Sequence, residues 1–402
     1  MLELLKGLRE YGIESVVFAP YPFRSPGLSA GWTPSPDDPF SAAGFVVRRF
    51  SAFLPTFGIS RSDRERSIAV GGNIMSLSAP LMLLTEPNVD IIHAHALGRM
   101  GAIARTVAHL RRIPYAVSIH GGFLDLPDPV RETLSAPTAG GFEWGRVFGW
   151  AMGARRVVSD ADSVITCNPQ EASLLTRKLP QKRIALLPHG IRVGRFHTDC
   201  REIALSRWPQ LAGRNVLLCV GRIDSIKNQV FAVRALQTII KQFPNVLLVL
   251  AGAETDPVHA AEVHQAIREQ DLSSYILMTG NLGHKDPALV GLYQIAEAVV
   301  LPSLSETFGM VILEAWAAGK AVVVSDTSGA RQIVRHCENG MFFDLNHPQS
   351  FVDSVSLLLS QPQLAASWGH QGHLDAVAHY SSPVVAAKFV KLYREMWDCR
   401  VR

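Results

Sequence analysis

Short apolar runs rich in β-branched residues alternate with amphipathic helix patterns along this chain, and the series runs twice. The first series holds Glu14–Ala19, Phe45–Phe50, Val89–His93, Tyr115–Ile119, Ser163–Thr166 and Ile184–Leu187 as strands. The second restarts with Asn215–Val220 and continues through Val246–Ala251, Ile276–Thr279, Ala298–Leu301, Ala321–Ser325 and Gly340–Phe343. Helix patterns lie between them. They include Leu2–Tyr11, Asn73–Leu84, Gly98–Arg111, Phe142–Asp160, Gln229–Gln242, Phe308–Ala318 and Ala330–Arg335. Strands joined through helices run parallel, so the pattern predicts βαβ units and open parallel sheets. With a break near Pro188–Phe196, it predicts two doubly wound α/β domains, residues 1–190 and 191–380, and a closing helical segment, 381–402. A chain of 402 residues is also longer than one core usually serves. Residues 20–44, dense in Pro and Gly, and 55–67 read as loops.

Ligands of such sheets bind beyond the carboxyl ends of the strands. The polar and Gly-rich signals collect there: His93 and His95, His120-Gly121-Gly122, Gly221-Arg222, Gly252, Gly280 and Glu306. A cleft between two facing domains is the arrangement this layout implies.

Several classes are disfavoured. No G-x-G-x-x-G follows a strand, G-x-x-x-x-G-K-[ST] does not occur, and the one G-x-S-x-G match, Gly27-Leu-Ser29-Ala-Gly31, lies inside the Pro- and Gly-rich stretch 20–44 and not where a strand turns into a helix. That argues against a nicotinamide dehydrogenase, a P-loop enzyme and an α/β-hydrolase. Five cysteines, an odd number with no C-x-x-C, read as reduced thiols in a cytoplasmic setting. No apolar stretch reaches the length of a transmembrane helix. The net charge of +4 lies wholly in the first half: residues 1–190 carry 20 Lys and Arg against 16 Asp and Glu, and residues 191–402 carry 19 of each. A solvated surface accounts for that, as does attraction to an anionic membrane face or a lipid-linked phosphate. Nucleic acid is not expected, since no dense basic run is present.

Two segments carry the chemistry. In Gly221-Arg222-Ile-Asp-Ser-Ile-Lys227-Asn228, a glycine at a strand end lets backbone approach a ligand. Arg222 can fork onto phosphate oxygens, Lys227 adds a point charge, and a helix N-terminus points at the same place. The set suits a diphosphate; the plainer alternative is a solvated turn. In Glu306-Thr-Phe308-Gly309-Met310-Val-Ile-Leu-Glu314, Glu306 stands where a strand turns into a helix, and Phe308, Gly309 and Met310 offer unpaired amides. Glu306 suits sugar hydroxyls, and Glu314 the paired hydroxyls of a ribose. A carboxylate on a helix as apolar as the one holding Glu314 needs a specific partner. The plainer alternative is a Glu favouring the helix dipole and a salt-bridged Glu314. His120 can contact a substrate hydroxyl or only cap its strand. His93 and His95 lack a third ligand at metal spacing.

Taken together, these residues resemble retaining glycosyltransferases of family 4, which have the GT-B fold. The likeness is densest over residues 215–345. Pro302-Ser303-Leu304-Ser305-Glu306 through Glu314-Ala-Trp-Ala-Ala-Gly319-Lys320 is similar to the family's two-glutamate segment, and Gly221-Arg222 with Lys227 to its diphosphate loop. The resemblance implies sugar transfer from a nucleotide-diphosphate sugar to a carbohydrate or lipid-linked acceptor, in polysaccharide or glycolipid synthesis. It implies Gly221, Arg222 and Lys227 on the diphosphate, Glu306 with Phe308, Gly309 and Met310 on the sugar, Glu314 on the ribose, and His120 near the reacting carbon. No metal or other cofactor is implied, because Arg and Lys supply the positive charge. A cytoplasmic protein in peripheral contact with the inner membrane face is the expected setting. An epimerase of the same architecture and a non-catalytic nucleotide-sugar-binding partner are the competing readings. One departure stands out: the family's first strand and its Gly-rich loop, which normally precede the helix Leu2–Tyr11, have no counterpart here. The expectation is that this form is poorly active and that an upstream extension restores activity.

Overall fold

A computed structural model describes the chain apart from residues 22–37, 61–62, 65–66, 68–73, 121–140, 284 and 402. Two compact units emerge, one of Met1–Pro188 with Ala386–Arg402, the other of His189–Val385.

In the first unit, β1 (Val16–Pro20) pairs in parallel with β2 (Val46–Phe50). A short antiparallel ribbon joins β3 (Thr56–Phe57) to β6 (Phe142–Glu143). A second parallel sheet takes the order β4 (Ile92–Ala94), β5 (Tyr115–Ile119), β7 (Ser163–Thr166), β8 (Ile184–Leu186). Every residue of β5 and β7 is buried, as expected for parallel strands covered on both faces. The helix Gly98–Arg111 packs Ala102, Val107 and Ala108 into their core. The helix Ser382–Val401 contributes Phe389 and Tyr393 to this unit, where their rings contact His93.

The second unit has one six-stranded sheet. It comprises β9 (Asn215–Val220), β10 (Val246–Ala251), β11 (Ile276–Gly280), β12 (Ala298–Leu301), β13 (Ala321–Ser325) and β14 (Met341–Phe343), ordered β11-β10-β9-β12-β13-β14. All its pairings are parallel. β10, β12 and β13 are buried throughout, which accounts for their nearly unbroken Val, Leu and Ala.

Three helices differ from the sequence expectation. The helix expected over Asn73–Leu84 spans only Ala79–Thr85; residue 73 lies outside the described residues. Met75 instead bridges Phe53 in antiparallel fashion. The Ser76 hydroxyl then accepts the Ala79 N–H at 3.1 Å, and Pro80 suits the first turn. The pattern over Phe142–Asp160 breaks into β6, a helix Arg146–Ala151 and a 3₁₀ turn Ala154–Arg156. Gly153 separates the last two in the left-handed region, φ +68°. The helix expected over Ala330–Arg335 is a single turn, Ser328–Arg331. The loop expected at 20–44 falls largely outside the described residues, as do Gly121 and Gly122. No helix among the described residues is long and apolar enough to cross a membrane.

Candidate active site

In the second unit β9 and β12 are neighbours although β10 and β11 lie between them in sequence. Strand order reverses there, and a crevice at the carboxyl ends follows from the two connections diverging. The loop leaving β9 carries Gly221–Asn228, and the loop leaving β12 carries residues 302–309.

Asp224 organises the first loop. This buried carboxylate accepts the backbone N–H of Lys227 at 2.9 Å and lies 3.0 Å from the guanidinium of Arg222. Both basic residues are thereby set by one anion, yet the Arg222 side chain stays 53% exposed. Asn228 takes a left-handed conformation, φ +54°, and donates its side-chain amide to the Pro302 carbonyl at 3.1 Å. Leu304 N–H donates to Ile226 O at 2.8 Å. The Lys227 ammonium pairs with the Glu306 carboxylate, whose same oxygen accepts the Ser303 hydroxyl at 2.9 Å. The two loops are therefore stitched by backbone, amide and ion-pair contacts.

Glu306 is held from below as well. Its carbonyl accepts the Gly329 N–H at 2.8 Å. A Cβ at Gly329 would stand 2.4 Å from that carbonyl oxygen and 2.6 Å from the Phe308 nitrogen, so only glycine permits the approach. Gly309, φ +86°, opens the helix Met310–Ala317. The amides of Phe308, Gly309 and Met310 at this N-terminus have no acceptor among the described residues. They make a ready cradle for an anion or hydroxyl. The Phe308 side chain does something else: it is buried edge-on against His189 and Tyr380, 5.1 and 6.0 Å between ring centres.

Glu314, further along the same helix, accepts the Tyr293 hydroxyl at 2.6 Å. Burial lifts its pKa above the ordinary carboxylate range, while the Tyr293 hydrogen bond and the Arg195 charge pull the other way. Burial, with the Glu314 charge, holds the Tyr293 phenol well above its usual pKa. One carboxylate oxygen is committed to tyrosine, which fixes the rotamer and aims the group.

In the first unit, His120 directly follows β5. Its Nε2 lies 3.0 Å from Nδ1 of His95, and the two rings stack at 5.2 Å. Burial holds the His120 pKa below the ordinary imidazole value. His93 is spoken for, with Nδ1 at 2.7 Å from the Tyr393 hydroxyl and Nε2 at 2.7 Å from the Ser118 hydroxyl. Burial and the neighbouring His120 push its pKa down to about 3, so it stays neutral.

The structure thus gathers Gly221, Arg222, Lys227, Glu306, Phe308, Gly309 and Met310 beyond the carboxyl ends of β9 and β12, with Glu314 along the adjoining helix. Sequence reading missed Asp224, Ser303 and Tyr293. Asp224 carried a usable signal, an acidic residue three before Lys227 in a turn. Ser303 lies three residues before the glutamate it bonds. Tyr293 sits on another helix and had none.

Residues 203–375 match the family model described as glycosyl transferases group 1, and residues 1–190 the glycosyl transferase 4-like domain. A D-inositol 3-phosphate glycosyltransferase of Thermobispora bispora is 27% identical over 250 residues, covering 61% of this chain and 58% of that relative's length. The alpha-monoglucosyldiacylglycerol synthase of Acholeplasma laidlawii is 24% identical over 415 residues, covering 99% and 93% of the two chains. The crystal structure of Anabaena Alr3699/HepE in complex with UDP-glucose matches with a TM-score of 0.70 at 17% identity, over 98% of this chain and 96% of that one. The chain belongs to the family-4 glycosyltransferases and has their GT-B fold.

Proposed function

We propose that this protein moves a sugar, with retention at the anomeric carbon, from a nucleotide-diphosphate sugar to an acceptor hydroxyl. The observation that carries the reading is the stitched pair of loops at the switch point. It sets Arg222, Lys227, Glu306 and three amides without an acceptor among the described residues around one crevice mouth in the second unit, the donor side. Arg222 and Lys227 take the diphosphate, with Gly221 allowing close approach. Once a diphosphate is bound, Lys227 exchanges its Glu306 partner for phosphate oxygens. Glu306 is then released to accept hydrogen bonds from the sugar, together with the amides of Phe308, Gly309 and Met310. Glu314 accepts from the ribose hydroxyls with the oxygen that Tyr293 leaves available.

In the reaction the bond from the anomeric carbon to the leaving phosphate oxygen breaks. A bond from the same carbon to the acceptor oxygen forms on the same face. The departing phosphate takes the acceptor proton, so no protein nucleophile is required. The protein's part is charge fixed on the leaving group and orientation of the two reactants. No metal enters this scheme. His120 and His95 supply the polar end of the first unit's sheet, the acceptor side, and are proposed to hold a sugar hydroxyl.

A membrane-borne acceptor is part of the same reading. Phe57 and Phe142 are cross-strand partners, Trp144 stacks on Phe57 at 6.4 Å, and Val147 and Trp150 lie one turn apart on the next helix. Phe142 and Trp150 are 72% and 80% exposed, and the exposed Arg146, paired with Glu143, lies on the same helix as Trp150. Exposed aromatics interleaved with arginine suit an anionic bilayer surface. The name of the Acholeplasma relative, a glycolipid synthase, supports that acceptor class. Incubation with labelled UDP-, GDP- and ADP-sugars tests the proposal. Transfer to a glycolipid or oligosaccharide acceptor supports it. Epimerised free sugar nucleotide, or binding without turnover, replaces it with one of the two competing readings.

A further inference from the structure

Early in the second unit the chain makes a 3₁₀ turn, Val193–Phe196. Val193 and Phe196 are buried, and the turn is clamped to the helix Pro287–Ile295. Gln294 of that helix donates its side-chain amide to the carbonyls of Phe196 and Thr198, at 3.0 and 2.8 Å. Its side-chain oxygen accepts the Cys200 N–H at 2.8 Å. The Phe196 ring meets the Tyr293 ring edge-on, 5.6 Å between centres. The Arg195 guanidinium lies over the same Phe196 ring, 5.4 Å from its centre. A buried aromatic pair and an amide clamp thus fix where Arg195 stands. From there its charge acts on both the Tyr293 hydroxyl and Glu314.

Arg195 is unusual in two ways. Its Nη2 is buried and has no hydrogen-bond partner among the described residues. A desolvated donor of this kind costs stability and calls for an explanation. No hydrogen bond or ion pair joins Arg195 to Glu314 either, whose Oε2 accepts from Tyr293 instead.

The arrangement has a chemical consequence. A ribose offers two hydroxyl donors side by side. A carboxylate can accept both, whereas a carboxylic acid, with a proton on one oxygen, has less acceptor capacity. Burial favours the acid form of Glu314, and Arg195 is the one cation acting against it among the described residues. A cation bonded directly to Glu314 would occupy the lone pairs that the ligand needs. Arg195 stands near without bonding, so it supplies charge and leaves the acceptor open.

Taking the ribose role proposed for Glu314 as the basis, we propose that Arg195 is a positioning residue for the donor. Its guanidinium supplies the positive charge that lets Glu314 receive both ribose hydroxyls, without itself touching the ligand.

Isothermal titration of UDP, GDP and ADP, each beside its 2′-deoxy form, against the native chain selects the nucleotide and gives its ribo-to-deoxy affinity ratio. The selected pair is then titrated against Arg195→Gln and Arg195→Lys, with the thermal midpoint of each variant recorded. The native ratio is expected to be about tenfold or more, the worth of one hydroxyl bonded to a charged acceptor. In Arg195→Gln the ratio is expected to fall toward unity, through weaker binding of the ribo form with the deoxy form little changed. Arg195→Lys, which keeps the charge, is expected to hold the ratio within about twofold of native. A native ratio in Arg195→Gln would overturn the role of Arg195 and leave that of Glu314 standing. A merely structural turn predicts that result, with both forms weakened together. A ratio lost equally in Arg195→Lys would overturn the role given to the charge. Equal binding of the ribo and deoxy forms by the native chain would overturn the ribose role itself.

Discussion

Tyr293 donates its phenolic hydrogen to Glu314 at 2.6 Å, from the helix Pro287–Ile295 to the helix Met310–Ala317. The contact turns a carboxylate on a highly apolar helix into an aimed acceptor. Removing the donor leaves a desolvated anion with less compensation. Tyr293→Phe is therefore expected to cost about 1–3 kcal/mol of stability, measured by denaturant unfolding, and to weaken donor binding in parallel. Full stability in that variant would mean the pair does not hold the helix.

The raised pKa of Glu314 has a definite sign in stability. Folded, the group binds its proton at higher pH than when unfolded. In the window from its ordinary value of 4.5 up to the raised one, the native state holds more protons, so its contribution falls as pH rises. Glu314→Gln should abolish that part of the slope. Unfolding free energies of the two chains across this window, subtracted at each pH, provide the check.

Gly329 fixes the height of the loop above it. In Gly329→Ala the new methyl meets the Glu306 carbonyl at 2.4 Å and the Phe308 nitrogen at 2.6 Å, so the loop must lift. A stability loss of about 1–3 kcal/mol is expected for such overpacking, with donor affinity falling because Glu306 and the three amides move together. Thermal unfolding and donor titration report the two effects separately.

The aromatic patch on the first unit gives a prediction free of the donor site. Trp150→Glu combined with Arg146→Glu is expected to abolish cosedimentation with vesicles containing phosphatidylglycerol, while donor binding is kept. Loss of donor binding as well would point to misfolding instead of a membrane face.

Much of the fold was legible because parallel strands buried on both faces leave a plain mark. Val246–Ala251 and Ala298–Leu301 are apolar at every position, and proline or an acidic cap opens the helices that follow β10 and β11. The expected helix over Asn73–Leu84 misled because Ile74 and Met75 fit a helical stripe while Met75 spends its backbone bridging Phe53. Phe142–Asp160 misled because periodicity does not register a left-handed glycine such as Gly153. At the site, the basic and acidic residues that face the crevice could be read from spacing along the chain. The groups that hold them were legible only in part. Asp224 lies two residues from Arg222 and three from Lys227, within reach of local spacing, whereas Tyr293 meets Glu314 from another helix, through a contact that only tertiary packing creates.

Isothermal titration of the nucleotide-diphosphate sugar selected by a thermal-shift screen, against the native chain, Lys227→Ala and Glu314→Ala, tests the central claim most directly. Loss of a charge-assisted contact predicts donor affinity about 10- to 150-fold weaker in each variant, with the nucleoside diphosphate alone following the same trend. Native affinity in both variants would contradict the donor site. Unchanged affinity with lost turnover in Glu314→Ala would contradict the assignment of that carboxylate to the ribose.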